Sequence, residues 1–377
     1  MTTSPLAALG WDDRIAALVA SIDVPAGTPD LVPGRVVRVD RGSCLVAVTA
    51  GTVRATPYAL ASRRAGLADE PATGDWVAVL DDPDEGWAVA VVLPRRSMIS
   101  RRHSDERAVT EQVLAANVDV VAAVCALDRD FGGNRLERFL AMARASGGTP
   151  AVILTKADAA DDAGATAEAA AALAPGVEVY VTSSVTGAGL DELRAVIAPG
   201  LTLVLMGPSG AGKSTLVNRL VGREAQRTEA VRDADKRGRH TTTTRDLVPV
   251  PGGGVLLDTP GLRSLGLWDA EDAVAETFPD IEELGERCRF RDCRHGAEPG
   301  CAVRTAVGEG ELEARRLDSY LKLERELVAL ELQKDVRARR AASRRSGRIA
   351  REAQRLKGRR EGPCGGPEGA GPARAPR

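Results

Sequence analysis

The sequence predicts a multidomain fold in three parts: a small all-β barrel or sandwich, a central α/β unit, and a helical module bearing cysteine and histidine. Three observations predict it. Between residues 31 and 95, short β-branched runs are separated by Gly, Asp and Pro. Beyond about residue 111, continuous apolar runs alternate with helical segments, the pattern of parallel strands covered on both faces. A cluster of three cysteines and a histidine then precedes a strongly periodic helix, Glu311 to Arg340.

A chain of 377 residues can build two or three cores. With 44% hydrophobic and 28% charged residues it reads as a folded, soluble protein. No apolar run approaches the roughly 20 residues needed to cross a bilayer. Met1 to Leu9 lacks the basic flank and long apolar core of a secretory signal, so a cytoplasmic, membrane-free protein is expected. The net charge of −2 hides an asymmetry: Arg337 to Arg360 holds eleven Lys or Arg and one acidic residue, Glu352. Such a block is a solvated tail or an electrostatic contact for nucleic acid.

The elements follow in order. Pro5 to Ile22 is one amphipathic segment, closed by Pro25, Gly27 and Pro29. Arg35–Val39, Cys44–Thr49, Trp76–Leu80 and Trp87–Leu93 are the β-branched runs of the barrel. In the α/β unit, strands are expected at Val118–Leu127, Pro150–Leu154, Glu178–Thr182 and Leu201–Met206. Helices are expected at Asn134–Ser146, Ala163–Leu173, Gly189–Ile197 and Lys213–Val221. Gly362 to Arg377 is Gly/Pro/Ala-rich and expected to be disordered.

Gly207, Pro208, Ser209, Gly210, Ala211, Gly212, Lys213, Ser214 and Thr215 follow the strand Leu201–Met206 directly and open a helix. Glycines let backbone N–H groups curl around phosphates, and the helix N-terminus adds its positive dipole end. Lys213 can reach the β- and γ-phosphates, and the Ser214 hydroxyl can ligate Mg²⁺. This loop does not separate ATP from GTP.

The base is read elsewhere. Thr155, Lys156, Ala157 and Asp158 end the strand Pro150–Leu154, where ligands of open α/β sheets bind. An Asp there can accept N1–H and the 2-amino group of guanine, a contact adenine cannot offer. Lys156 can lay its stem over the ring. Thr182, Ser183 and Ser184 end the next strand and can contact the guanine carbonyl oxygen. The tetrapeptide resembles the Asn-Lys-x-Asp motif of the translation-factor GTPases. Thr155 stands in place of Asn, so the amide that braces the phosphate loop is lost or reduced to a hydroxyl.

Ordinary GTPases present the phosphate loop first. Here Asp158 precedes Gly207, a permuted order that compact domains tolerate. Gly238 to Arg245 is a polar loop in which a threonine, Thr242 or Thr243, can complete the Mg²⁺ shell. Val255 to Gly261 is a strand ending in Asp-x-x-Gly: Asp258 can hold Mg²⁺ through water, and the Gly261 amide can contact the γ-phosphate. Leu262 stands where a water-positioning Gln normally follows. Slow intrinsic hydrolysis is expected, with His240 the nearest candidate for the missing polar group.

Cys44 and Cys125 stand alone in strand-like runs and read as small buried hydrophobes, and Cys364 lies in the Gly/Pro-rich end. Cys288, Cys293, His295 and Cys301 form a closed Cys₃His set suited to one structural, tetrahedral Zn²⁺.

With these motifs in this order, the chain resembles the ribosome small subunit-dependent GTPase A family (RsgA, also YjeQ), over roughly residues 31 to 345. The resemblance implies an N-terminal OB-fold, a circularly permuted P-loop GTPase domain and a zinc-binding C-terminal domain. It implies GTP hydrolysed to GDP, with Mg²⁺, under stimulation by the small ribosomal subunit and its 16S rRNA during late maturation. A monomer is expected. The family's hydrophobic residue in place of Gln matches Leu262, and its loop histidine matches His240. Domains are then expected at 31–95, 96–275 and 276–345, after an extension (1–30) and before a tail (346–377). Few aromatics are available for stacking, so backbone and shape recognition of folded RNA fits better than single-strand reading. Two alternatives stay open: an ATP-dependent enzyme, and a non-catalytic RNA-binding scaffold with a degenerate nucleotide site.

Overall fold

The computed structural model describes residues 5–23, 30–57, 70–82, 86–104, 109–128, 131–222, 246–258 and 270–334. Two helices open the chain, α1 (Pro5–Ala8) and α2 (Asp13–Ala20). The single amphipathic segment expected over Pro5–Ile22 is thus divided at Gly10–Trp11. Asp12 restarts it: its carboxylate accepts the Ile15 amide at 2.8 Å, satisfying a donor the helix leaves unpaired.

Five strands follow: β1 (Val32–Asp40), β2 (Ser43–Val48), β3 (Gly51–Pro57), β4 (Trp76–Asp82) and β5 (Gly86–Val92). They pair in the order β1-β2-β3-β5-β4, and β4 returns to β1 to close an OB-like barrel. Alternate residues point inward, and Val36, Val46, Val48, Val77, Val79 and Val89 fill the interior with Cys44 and Ala55. β3 was not expected from the sequence. Its inward Val53 and Ala55 alternate with Thr52, Arg54 and Thr56, so it never forms an apolar run. A hairpin, β6 (Met98–Ser104) and β7 (Val109–Ala116), connects the barrel to the next unit and was also not expected.

The central sheet comprises β8 (Val120–Ala126), β9 (Thr149–Thr155), β10 (Glu178–Val181), β11 (Thr202–Met206), β12 (Asp246–Pro249) and β13 (Val255–Asp258). Its order is β10-β9-β8-β11-β13-β12, parallel throughout except for the antiparallel β12. The helices are α3 (Gly133–Ala145), α4 (Ala163–Leu173), α5 (Leu190–Val196) and α6 (Lys213–Val221). The continuous apolar runs divide residue by residue between two cores. Ala122, Val124 and Ile153 pack with Leu193 of α5 and Leu216 and Leu220 of α6. Ala123, Val152 and Leu154 pack with Leu136 and Leu140 of α3 and Ala170 of α4. Each fully buried Val or Leu contributes about 1.5–3 kcal/mol. The barrel and this sheet are continuous through β12 and β1, where Arg38 partners Asp246.

Among the described residues four further helices follow: α7 (Glu271–Thr277), α8 (Pro279–Gly285), α9 (Ala302–Glu309) and α10 (Ala314–Lys334). The helix expected from Glu311 begins at Ala314, and residues beyond 334 lie outside the described set. Phe278, Ile281 and Val303 are fully buried here. Residues 1–327 form one compact unit; of a second, 328–377, the described part is helical. Among the described residues no helix is long and apolar enough to cross a membrane. Cys44 is buried as expected and Cys125 half-buried, and burial pushes both thiols up to about 11.

Candidate nucleotide site and metal centre

The chain runs from β8 outward to β10, then crosses back so that β11 lies on the other side of β8. Such a reversal opens a crevice at the carboxyl ends of the strands. The loop after β11, the Asp128 turn after β8, Thr155–Asp158 after β9 and Ser183–Ser184 after β10 all lie at those ends. Sequence-distant motifs are therefore brought to one edge.

Close backbone packing shapes the phosphate loop. A Cβ at Gly207 would lie 2.5 Å from the Val124 carbonyl oxygen, so no larger residue fits. Gly212 has φ +81° and leads directly into α6, whose first amides face the loop. The Lys213 ammonium donates to the carbonyls of Gly207 (2.9 Å) and Pro208 (2.7 Å), so it is held over the loop. Ala211 is fully buried beneath it, while Ser214 is half-buried and Thr215 exposed.

The Thr155 hydroxyl donates to the Ala211 carbonyl at 2.7 Å and lies 3.3 Å from that of Cys125. The brace between the base motif and the phosphate loop is thus kept as a hydroxyl contact. Lys156 sits in the left-handed region, φ +61°, with its ammonium 2.6 Å from Asp128. The Asp158 carboxylate accepts the Ser183 hydroxyl at 2.5 Å. Ser183 in turn accepts the amides of Val185 and Thr186 at 3.2 and 3.1 Å. The Asp158 side chain is therefore oriented through a buried serine, leaving its other oxygen for a ligand. Ala157 begins a single 3₁₀ turn, its amide donating to the Thr182 carbonyl.

Two partners escaped the sequence reading. Asp128 meets Lys156, and Arg219 on α6 donates to the carbonyls of Ser184 (2.6 Å) and Val185 (3.1 Å). Arg219 ties the base-side loop to the phosphate-side helix, but contacts to backbone carbonyls leave no residue pattern to find. Asp258 ends β13 beside β11, and only its backbone is described. His240, Thr242, Thr243, Gly261 and Leu262 lie outside the described residues.

The second centre lies between α8 and α10. The donor atoms of Cys288, Cys293, His295 and Cys301 all lie within 4.8 Å of one another. The Sγ atoms of Cys288 and Cys301 are 3.9 Å apart, and His295 Nδ1 lies 3.7 and 3.4 Å from them. Tetrahedral bonds of about 2.3 Å to sulfur and about 2.0 Å to nitrogen require donor separations of about 3.8 and about 3.6 Å. The donor set fits a four-coordinate Zn²⁺. Burial opposes ionisation of Cys288, yet the Val303 and Ala302 amides and the neighbouring thiols outweigh it and lower its pKa. Those amides open α9, so a helix N-terminus faces the sulfur. His295 is held at φ +54°, a strained geometry for a residue with a Cβ.

A buried ionic network joins the α3 helix to this module. Glu137, fully buried, is 3.0 Å from both Arg315 and Arg316. Arg316 also reaches Asp280 at 2.6 Å and stacks 4.9 Å over Phe278. The signal was present in sequence: Glu137 falls between Leu136 and Leu140 on the apolar stripe of its helix.

Comparison with known proteins agrees with this geometry. Residues 92–268 match the family described as RsgA GTPase. A Streptomyces avermitilis protein named small ribosomal subunit biogenesis GTPase RsgA is 48% identical over 352 residues, covering 90% of each chain. Its Streptomyces coelicolor counterpart of the same name is 47% identical over 371 residues, 94% of this chain and 96% of its own. Among solved structures, YjeQ from Thermotoga maritima superposes with a TM-score of 0.58 at 26% identity, over 79% of this chain and 99% of that one. YloQ, described as a circularly permuted GTPase, gives a TM-score of 0.55 at 25% identity over 81% and 98%. The permuted strand order, the nucleotide crevice and the extent of these matches place the chain in the RsgA GTPase family.

Proposed function

We propose that this chain is a GTPase of small ribosomal subunit biogenesis, hydrolysing GTP to GDP and phosphate with turnover stimulated by the subunit. One observation carries the guanine assignment: Asp158 and Ser183 are hydrogen-bonded to each other at the ends of adjacent strands, beside a phosphate loop braced by Thr155. Asp158 would accept N1–H and the 2-amino group of the base, Lys156 would cover its face, and Ser184 would contact its carbonyl edge.

Gly207 through Gly212 would wrap the phosphates with backbone amides, and Lys213 would leave its two carbonyl partners for the β- and γ-oxygens. Ser214 and Asp258 would hold Mg²⁺, which offsets phosphate charge in the transition state. Thr242 or Thr243 would complete that shell, and the Gly261 amide would meet the γ-phosphate. Leu262 has no polar group to orient water, and His240 is the group we assign to that task. Zn²⁺ bound by Cys288, Cys293, His295 and Cys301 would serve structure, since all four positions are protein donors. The division at 31–95, 96–275 and 276–345 follows the same reading, with 16S rRNA as the contact surface, a monomeric chain and a cytoplasmic setting.

The test is GTP turnover by purified protein with and without small ribosomal subunits, beside an ATP control. Strong, GTP-specific stimulation is expected; slow turnover unchanged by subunits would overturn the reading in favour of a binding scaffold. Asp158→Asn should weaken GTP binding on the order of 10²-fold, two charge-assisted hydrogen bonds being at stake, and leave ATP binding unaltered.

A further inference from the structure

Two contacts made by a single strand, β1, join the barrel to the central sheet, and they differ in kind. The first is deep. Arg35 is only 1% exposed, and burial lowers its pKa to about 10. Its guanidinium donates to the Leu9 carbonyl, to Gly74 (3.3 Å), to Asn117 (3.0 Å) and to the Thr202 hydroxyl (2.8 Å). The face of Trp76 lies 5.1 Å from it. N-terminal segment, barrel, hairpin exit and the start of β11 thus meet at one cation held by backbone carbonyls, a hydroxyl and an aromatic face, with the charges of Asp119 and Asp75 nearby. Removing any of these partners would leave a buried charge short of a hydrogen bond.

The second contact is shallow. Arg38, one strand face away, is the residue of β1 that partners Asp246 of β12, and its Nε lies 3.7 Å from the Asp246 carboxylate. Both side chains are more than a third exposed. Asp40 competes for the same guanidinium at 2.8 Å, and Arg54 holds Asp40 at 3.0 Å. Exposed pairs of this kind are weak and open readily.

What makes the shallow contact informative is its register. Asp246 faces Arg38 on one side and Asp258 on the other. A barrel residue, the first residue of β12 and the terminal Asp of β13 therefore form one row across three hydrogen-bonded strands. The deep contact reaches the opposite ends of β8 and β11, away from the crevice.

We propose that the Arg38–Asp246 contact is a latch that couples the barrel to the nucleotide-facing end of β13, with the Arg35 hub as its fixed pivot. Arg38 is then a positioning residue for the subunit's stimulation of turnover, not for basal turnover: it touches no ligand and acts through Asp246 on the strand that carries Asp258. Whatever engages the barrel is sensed at Asp258 through this row, and the state of Asp258 is sensed in the barrel. The inference rests on the GTPase reading above.

The test compares Arg38→Ala, Asp246→Asn, their combination and Asp40→Ala in the full-length protein. The readout is the ratio of GTP turnover with small ribosomal subunits to turnover without. Either latch variant should lower the ratio by about two- to fivefold, with basal turnover and subunit binding unchanged. The double variant should fall no further than the singles, and Asp40→Ala should keep the wild-type ratio. Unchanged ratios in the single variants, additive losses, or an equal loss in Asp40→Ala would overturn the latch. Hydrogen exchange separates this outcome from failure of the GTPase assignment. Residues 32–40 should exchange differently with GDP and with a GTP analogue, and Asp246→Asn should abolish the difference. Identical exchange in the wild-type protein would overturn the latch even if turnover is stimulated as expected.

Discussion

Lys156 and His295 are both non-glycine residues in the left-handed region, and each sits at a ligand site, yet the surroundings that hold them there differ. Lys156 caps the end of a buried strand in a sheet with two apolar cores; Ile153 and Leu154, just before it, are fully buried. His295 lies in an irregular loop between α8 and α9 whose residues from Glu286 to Gly300 are mostly exposed. In the first region hydrophobic burial makes the fold and the ligand uses it. In the second the four donor side chains are the loop's main convergence point, so a metal ion would supply what a core supplies elsewhere.

The largest effect should come from breaking the second region. Cys301→Ser, or chelation, should remove amide protection across residues 286–312 while the sheet from β8 to β11 keeps its own. Structural zinc is worth on the order of 10–16 kcal/mol in small modules, so the loop should not survive without it. Equal protection with and without chelator, read by hydrogen exchange, would show that the loop folds on packing alone.

Next comes the link between the two regions. Glu137→Ala leaves Arg315 and Arg316 facing a buried void and should cost about 3–5 kcal/mol, measured by urea unfolding. A change below about 1 kcal/mol would mean that the arginines find water or other acceptors. The smallest effect sharpens the first region. Thr155→Val keeps the shape but strips the Ala211 carbonyl of its donor, costing about 1–2 kcal/mol. Titration with GTP should show roughly tenfold weaker binding, with a melting temperature lowered by only a few degrees. A large drop in melting temperature with unchanged affinity would make the brace a folding element instead.

The same contrast explains what the sequence revealed. The parallel strands were legible because both faces are buried, so apolar runs mark them. The phosphate loop, Asp158 and the Cys₃His set were legible because their chemistry demands fixed residue types at fixed spacing. β3 was not, because one face is polar, and β12 was not, because a strand of four residues carries too little pattern. Asp128, Arg219 and the Arg35 hub were hidden for another reason. Their partners are distant in sequence, and most of them are backbone carbonyls, which every residue possesses.

The strand order sets a timetable for synthesis. β8, β9 and β10 leave the ribosome as a contiguous parallel group, but the neighbour that covers the inner edge of β8 is β11, made later. Until then the strand Val120–Ala126 is an unprotected apolar edge, the kind that pairs with other chains. The barrel, closed largely by its own β4–β1 pairing, precedes it. A permuted chain therefore carries its most aggregation-prone interval in mid-translation, and slow decoding between residues 127 and 201 would lengthen it.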